Sequence, residues 1–169
     1  QRVRASPCPN PARSSQRRRA SEHPLGVPER IVALRMPGDP DYWARIKADP
    51  LITVVLDEGA KKAGAWLTAG IPALCLPGIW AGAPPVDRDD LEPRIGNGYG
   101  RKDWKTRAPV KRSLHEDLAA VAAGRRFVIS LDDEPTAEGQ QRRDSATRIL
   151  AEQLLAAGAS NVAVAHRPG

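Results

Sequence analysis

Residues 51–69 read LITVVLDEGAKKAGAWLTA and predict a buried strand that ends at two acids and continues into a helix. The run Leu51–Leu56 is apolar apart from one threonine and rich in β-branched residues, as in a strand covered on both faces. Asp57 and Glu58 follow it, and the chain turns at Gly59. Because ligands of open α/β sheets collect at the carboxyl ends of the strands, we expect Glu58 to lie in a functional crevice.

Further strands and helices follow this first unit. Apolar residues at helical spacing predict helices over 60–69, from Ser113 to Gly124 with Ser113 as the N-cap, and from about Ala146 to Gly158. Alternating strands and helices favour parallel pairing. We therefore predict an α/β fold with a mainly parallel, Rossmann-like sheet of about four strands flanked by helices. The three further strands are expected at Ala73–Leu76, Arg126–Leu131 and Asn161–Ala165.

Charge and proline content divide the chain into three parts. Six arginines and no acid occur in residues 1–20, whereas the remaining residues carry 20 basic and 20 acidic side chains. We expect 1–21 to be a disordered basic tail, either a phosphate-binding arm or a solvated linker. Residues 22–50 form a Pro-punctuated lead-in, with a short strand near Ile31–Met36 and a helix near Asp41–Ala48. Residues 51–169 form the domain, and we expect its C-terminus to be truncated.

An excursion at residues 83–112 interrupts the domain with Pro, Gly and charged residues. Its basic and aromatic side chains could contact nucleic acid, although its five acids could cancel much of that charge. Aromatic residues make up only 4% of the chain, which argues against a base-stacking platform. The residues in question are Arg94, Tyr99, Arg101, Lys102, Trp104, Lys105, Arg107, Lys111 and Arg112.

Cysteine and hydrophobic content bound the compartment. Cys8 and Cys75 lack the spacing of a zinc site, and Cys75 is expected in the core. A reducing, cytoplasmic location is the default expectation. No apolar run approaches the roughly 18–20 residues of a membrane span, so we expect no membrane partner.

Four residues are candidates for binding phosphate or nucleic acid. Lys61 and Lys62 stand in the first turn of the predicted helix, where the helix dipole disfavours cations unless they face an anion. Gly78 belongs to a turn after a strand, where backbone N–H groups can approach a phosphate, and Gly59 forms the turn before the helix. Solvated lysines and an ordinary Pro-Gly turn are the alternative interpretation.

A second acidic group, Asp132-Asp133-Glu134, ends a later strand as Asp57-Glu58 ends the first. Side chains alternate along a strand, so Asp132 and Glu134 share a face while Asp133 points away. Together with Glu58 they supply the hard oxygen ligands that Mg²⁺ prefers. The sequence therefore predicts a divalent-metal site if the two acidic groups meet. If they do not, the acids merely cap helices of a generic nucleotide-binding domain.

The segments VVLDEGAKKAGAWLTAG, ALCLPGIWAG, RRFVISLDDE and RRDSATRILAEQLLAAGASNVAVAHRPG resemble a Toprim-like domain. The similarity is greatest to the domain-of-unknown-function branch that is attached to primases and helicases of plasmids, phages and other mobile elements. It extends from about Glu22 to the end of the chain. GAKKA and LPG, in order between two acidic motifs, are its most specific elements.

The resemblance implies a Toprim fold and a role in DNA replication. Glu58 matches the glutamate that serves as general acid or base, and Asp132 and Glu134 match the pair that holds Mg²⁺ or Mn²⁺. Glu134 replaces the usual second aspartate. A primase-type nucleotidyltransferase or nuclease would follow, acting on DNA or RNA with nucleotides as partners and with helicase or primase domains in the same full-length chain. The alternative is a non-catalytic module that binds nucleic acid or nucleotide for those neighbours.

Overall fold

The computed structural model describes residues 30–86 and 111–165. Within these ranges the chain forms five strands and four helices. The strands are β1 (Val32–Ala33), β2 (Val54–Glu58), β3 (Ala73–Leu76), β4 (Arg126–Ser130) and β5 (Asn161–Val164). The helices are α1 (Tyr42–Ala48), α2 (Ala60–Thr68), α3 (Glu116–Ala122) and α4 (Ala137–Ala156).

The strands form one sheet in the order β1-β3-β2-β4-β5. Strand β2 pairs in parallel with β3 and β4, and β4 pairs in parallel with β5, whereas β1 is antiparallel to β3. The predicted α/β class with a mainly parallel sheet is therefore confirmed, with the lead-in supplying a fifth, antiparallel strand. Because Asp57 is level with Ser130, the residues that follow each strand emerge at the same edge of the sheet.

Helices cover both faces of the sheet. Side chains alternate along β2, so Leu56 enters a larger apolar cluster with α3 and α4 while Val55 enters a smaller cluster with α2. Cys75 is buried in the smaller cluster, as predicted. Each large side chain buried in this way contributes about 1.5–3 kcal/mol. This double cover explains why β2 has a continuous apolar run instead of an alternating pattern.

Several predicted boundaries are wrong by a few residues. Strand β2 begins at Val54, and Leu51 is 82% exposed. The N-cap of α3 is His115 instead of Ser113, and its Nδ1 accepts the Asp117 N–H at 3.2 Å. Helix α4 begins nine residues before Ala146, because its first turns are polar and carry no apolar periodicity. Its N-cap threonine accepts a backbone N–H, which supplies the start signal that periodicity lacks.

A buried arginine joins the lead-in to the core. Arg125 is only 1% exposed, and its guanidinium donates to the carbonyls of Val121, Ile52 and Ile46 at 3.0, 2.8 and 2.7 Å. Burial lowers the pKa of Arg125, but its donors are matched by carbonyl acceptors. Helix α1 is thus bound to the sheet domain by a polar contact that hydrophobic patterning does not reveal.

The predicted excursion leaves and returns at one point. The Val86 N–H donates to the Lys111 carbonyl at 2.9 Å, and Pro85 bridges to Arg112. Arg112 stacks over the Trp80 ring at 3.9 Å, so this basic residue has a structural contact of its own. The other basic and aromatic candidates of the excursion, apart from Lys111, lie outside the described residues. So do the predicted tail 1–21, residues 22–29 and residues 166–169.

Candidate functional site

Glu58 is the last residue of the central strand, where β2 meets the N-terminal turn of α2. Its side chain is half-buried, and its Oε2 is shielded from solvent with no hydrogen-bond partner among the described residues. An unpartnered buried carboxylate oxygen is costly and marks a place where a proton or a cation is needed. The predicted candidate therefore lies at the predicted edge, in an environment suited to chemistry.

The pKa of the Glu58 carboxyl is raised above its ordinary value. Burial is the main cause, and the negative charges of Glu134 and Asp57 raise the pKa further. The Lys62 ammonium acts in the opposite direction. Glu58 and Glu134 are therefore close enough to interact electrostatically, although they follow different strands.

Lys62 connects the two acidic groups. Its ammonium forms an ion pair with the carboxylate of Asp132, which follows β4, and its charge also acts on Glu58 at the end of β2. The side chains of Lys62 and Asp132 are 32% and 41% exposed, whereas Lys61 on the same turn is exposed to solvent. The two lysines predicted as one pair thus have different environments.

The group after β4 is divided as strand alternation predicts. Asp132 and Glu134 are half-buried, whereas Asp133 is exposed and pairs with Arg143. Glu134 packs against the first turn of α4 so closely that a Cβ at Gly139 would lie 2.7 Å from the Glu134 Cβ and 2.9 Å from its Oε2. Glu134 therefore packs against the N-terminal turn of α4, from where its charge acts on Glu58.

Asp57, the neighbour of Glu58, faces the opposite side of the sheet. It is 1% exposed, and the Trp66 indole N–H donates to its Oδ2 at 2.6 Å. Its Oδ1 is buried without a hydrogen-bond partner in residues 30–86 and 111–165. Strand alternation alone could have separated Asp57 from Glu58. The role of Trp66 was missed, because a tryptophan in a helix reads as apolar and its N–H partner cannot be seen in the sequence.

The two candidate glycines lie at the same edge in ordinary structural roles. Gly59 has a φ of 95°, a conformation that other residues rarely adopt, and its N–H donates to the Leu76 carbonyl at 3.2 Å. Gly78 lies in the loop after β3, where its carbonyl accepts the Ala81 N–H at 3.0 Å. Gly59 is thus required for the turn, and its N–H is already used within the sheet.

The Asp, Glu, His and Cys side chains of the described residues are the possible ligands of a divalent cation. In residues 30–86 and 111–165, no three Asp, Glu, His or Cys side chains are arranged to hold a metal ion. Magnesium, however, is usually held by one or two carboxylates together with waters and substrate phosphates. The unpartnered Oε2 of Glu58 beside Glu134, with Asp132 already paired to a cation, fits such a partial set of ligands.

Residues 42–168 match the family described as Domain of unknown function (DUF3854). The chain belongs to this family. All the acids and lysines described above lie within the DUF3854 domain, as does α1. An uncharacterized protein of Picosynechococcus sp. is 38% identical over 81 residues, which is 48% of this chain and 7% of that protein. The chain thus spans only a small part of that relative. No solved structure matches the chain.

A helix that spans a membrane must be both long and apolar. None of the four helices described is both long and apolar enough to cross a bilayer.

Proposed function

We propose that this DUF3854 chain is a Toprim-like domain of a DNA replication protein, associated with a primase or helicase. Its activity would be magnesium-dependent nucleotidyl or phosphodiester transfer on nucleic acid. The observation that supports the proposal is the meeting of Glu58 with Lys62 and Glu134 at the carboxyl edge of β2 and β4, where Lys62 also pairs with Asp132. Ligands of open α/β sheets bind at this edge.

Glu58 has the properties of a general acid or base in this proposal. Burial and neighbouring acids raise its pKa, so that it holds its proton closer to neutral pH than an ordinary glutamate does. A carboxyl group is most effective in proton transfer when its pKa approaches the working pH. Glu58 would then exchange a proton with the hydroxyl or leaving oxygen at phosphorus.

Asp132, Glu134 and Glu58 are the residues that would hold Mg²⁺ or Mn²⁺. The cation would act as a Lewis acid and neutralise charge that develops on phosphate oxygens. Lys61, which is exposed, and Lys62, which pairs with Asp132, are the cationic side chains of the first turn of α2 that would contact a phosphate. These residues would bind and orient a phosphodiester or a nucleoside triphosphate at the edge of the sheet.

The alternative is a non-catalytic module of the same fold that binds nucleic acid or nucleotide for a neighbouring helicase or primase domain. It is favoured by two observations: Lys62 pairs with Asp132, and no three Asp, Glu, His or Cys side chains of the described ranges are arranged to hold a metal ion. In such a module the acids would be neutralised by lysine and would serve the fold, while an exposed cation such as Lys61 would bind phosphate.

Primer synthesis and strand cleavage by the full-length protein, with Mg²⁺ or Mn²⁺, test between the two. We expect Glu58→Gln and Asp132→Asn each to lower activity by at least about 100-fold, because the first removes the general acid or base and the second removes a metal ligand. Asp133→Asn is the matched control, because Asp133 is exposed and pairs with Arg143. Equal activity in all four proteins would eliminate catalysis at this site. Binding that survives both substitutions and weakens with salt would support the module.

A further inference from the structure

Lys62 supplies a positive charge beside the acids at the carboxyl edge of β2 and β4. Its ammonium pairs with Asp132, and its charge also reaches Glu58 on the neighbouring strand. The bonded atoms, Lys62 Nζ and Asp132 Oδ1, are themselves shielded from solvent although both side chains are partly exposed. One lysine therefore neutralises acids that come from two strands.

The same contact limits access to Asp132. The ammonium occupies the Oδ1 side of the Asp132 carboxylate. A divalent cation that coordinates this oxygen must therefore displace the ammonium. A lysine head on a flexible four-carbon stem can move away without a change in the backbone.

Once displaced, the ammonium remains tethered to the first turn of α2, at the edge where a phosphate would arrive with the metal. Magnesium is bound in most phosphoryl-transfer sites together with substrate phosphate oxygens. A phosphate beside the metal would supply Lys62 with a new anionic partner. The charge of Lys62 is then satisfied in both states.

We propose that Lys62 is an exchangeable counter-ion, which neutralises Asp132 until a divalent cation bound to a phosphate displaces it and the ammonium moves to that phosphate. This inference rests on the metal-dependent function proposed above. It makes metal and phosphate binding mutually dependent, because each favours the state in which Lys62 has left Asp132. The site would take up a metal–phosphate complex far more readily than either ion alone.

The test is Mn²⁺ binding, measured by electron paramagnetic resonance or calorimetry with and without inorganic pyrophosphate. It compares the unaltered full-length protein, Lys62→Met, Lys62→Gln and the control Lys61→Met, whose side chain is exposed on the same turn. Without pyrophosphate, both Lys62 variants should bind Mn²⁺ about tenfold more tightly, since the competing cation is gone. Pyrophosphate should tighten Mn²⁺ binding by about 5- to 150-fold in the unaltered protein and in Lys61→Met, but by much less in the Lys62 variants.

The possible failures are distinguishable. If Mn²⁺ binds equally well, or more weakly, to the Lys62 variants, the exchange is refuted while metal-dependent catalysis stands. If Mn²⁺ binds to none of the proteins, both the exchange and the proposed metal chemistry are refuted. If the Lys62 variants bind Mn²⁺ more tightly but the unaltered protein neither makes primers nor cleaves strands, the exchange is supported and the catalytic proposal fails. Thermal unfolding of each variant verifies that it is folded.

Discussion

The hydrogen bond between Trp66 and Asp57 should be one of the strongest single polar contacts in this domain. The indole N–H donates at 2.6 Å to a carboxylate that is 1% exposed and whose second oxygen has no hydrogen-bond partner in the part of the chain that the structure describes. Trp66→Phe keeps an aromatic ring but removes the indole donor to Asp57. Because Trp66 lies one turn after Lys62, the contact also fixes the helix that carries the site lysine.

Trp43→Phe provides a matched comparison. The Trp43 indole N–H donates at 2.7 Å to the Leu34 carbonyl, a neutral acceptor, and both tryptophans are partly buried. The apolar area lost on substitution is similar, so the difference reports on the acceptor. Hydrogen bonds to charged groups contribute about 1.5–3 kcal/mol, against about 0.5–1.5 kcal/mol for neutral pairs. We expect Trp66→Phe to be the more destabilising substitution by about 1 kcal/mol.

Urea unfolding followed by circular dichroism measures both losses. For a chain of this length, the excess of about 1 kcal/mol for Trp66→Phe corresponds to a further decrease in Tm of about 2–4 °C. A double-mutant cycle with Asp57→Asn should give a coupling energy of about 1 kcal/mol or more. An equal or smaller loss for Trp66→Phe than for Trp43→Phe would refute the reasoning, as would additive effects in the cycle.

Two further predictions concern the acidic edge. Because the pKa of Glu58 is raised, the folded protein retains a proton that the unfolded chain releases near pH 4.5. The contribution of Glu58 to stability is therefore fully present below pH 4.5. It is lost as the pH rises through the pKa of the folded state. Glu58→Gln should remove this loss of stability, which urea unfolding at several pH values from about 4 to 8 measures. An unchanged pH profile would contradict a raised pKa for Glu58. Gly139→Ala would place its Cβ 2.7 Å from that of Glu134. Overpacking of this kind costs about 1–3 kcal/mol, more than the roughly 1 kcal/mol by which alanine stabilises a helix relative to glycine. Calorimetry should therefore show a lower Tm for Gly139→Ala. A stabilised variant would show instead that Glu134 moves freely.

Hydrophobic patterning predicted much of the fold because periodicity follows from local geometry. The apolar runs of β2, β3, β4 and β5 are short and bounded by turn residues, so they were located to within a few residues. The start of α4 was missed because its first turns are polar and have no apolar stripe. The N-cap of α3 was misplaced because a Ser-x-x-Glu pattern is common, while the actual cap is a histidine.

The candidate site was predictable where it depends on strand ends. Glu58 ends one parallel strand and Asp132 follows another, and parallel strands present their carboxyl ends at one edge. The order of the elements therefore predicts that the acids lie at one edge of the sheet. It treated Lys61 and Lys62 as equivalent, since sequence spacing alone does not reveal which lysine of a helical turn points toward a particular acid.

The sequence by itself determined the order of strands and helices in the predicted domain, and that acids end two of the strands, since these features depend on neighbours along the chain. Only the tertiary structure decided that β2 lies directly beside β4, so that Lys62 reaches Asp132, and that Asp57 is paired with Trp66. These contacts depend on strand order and on the direction of individual side chains. Both are set by how the whole core packs, because packing, unlike periodicity, couples residues that are far apart in the chain.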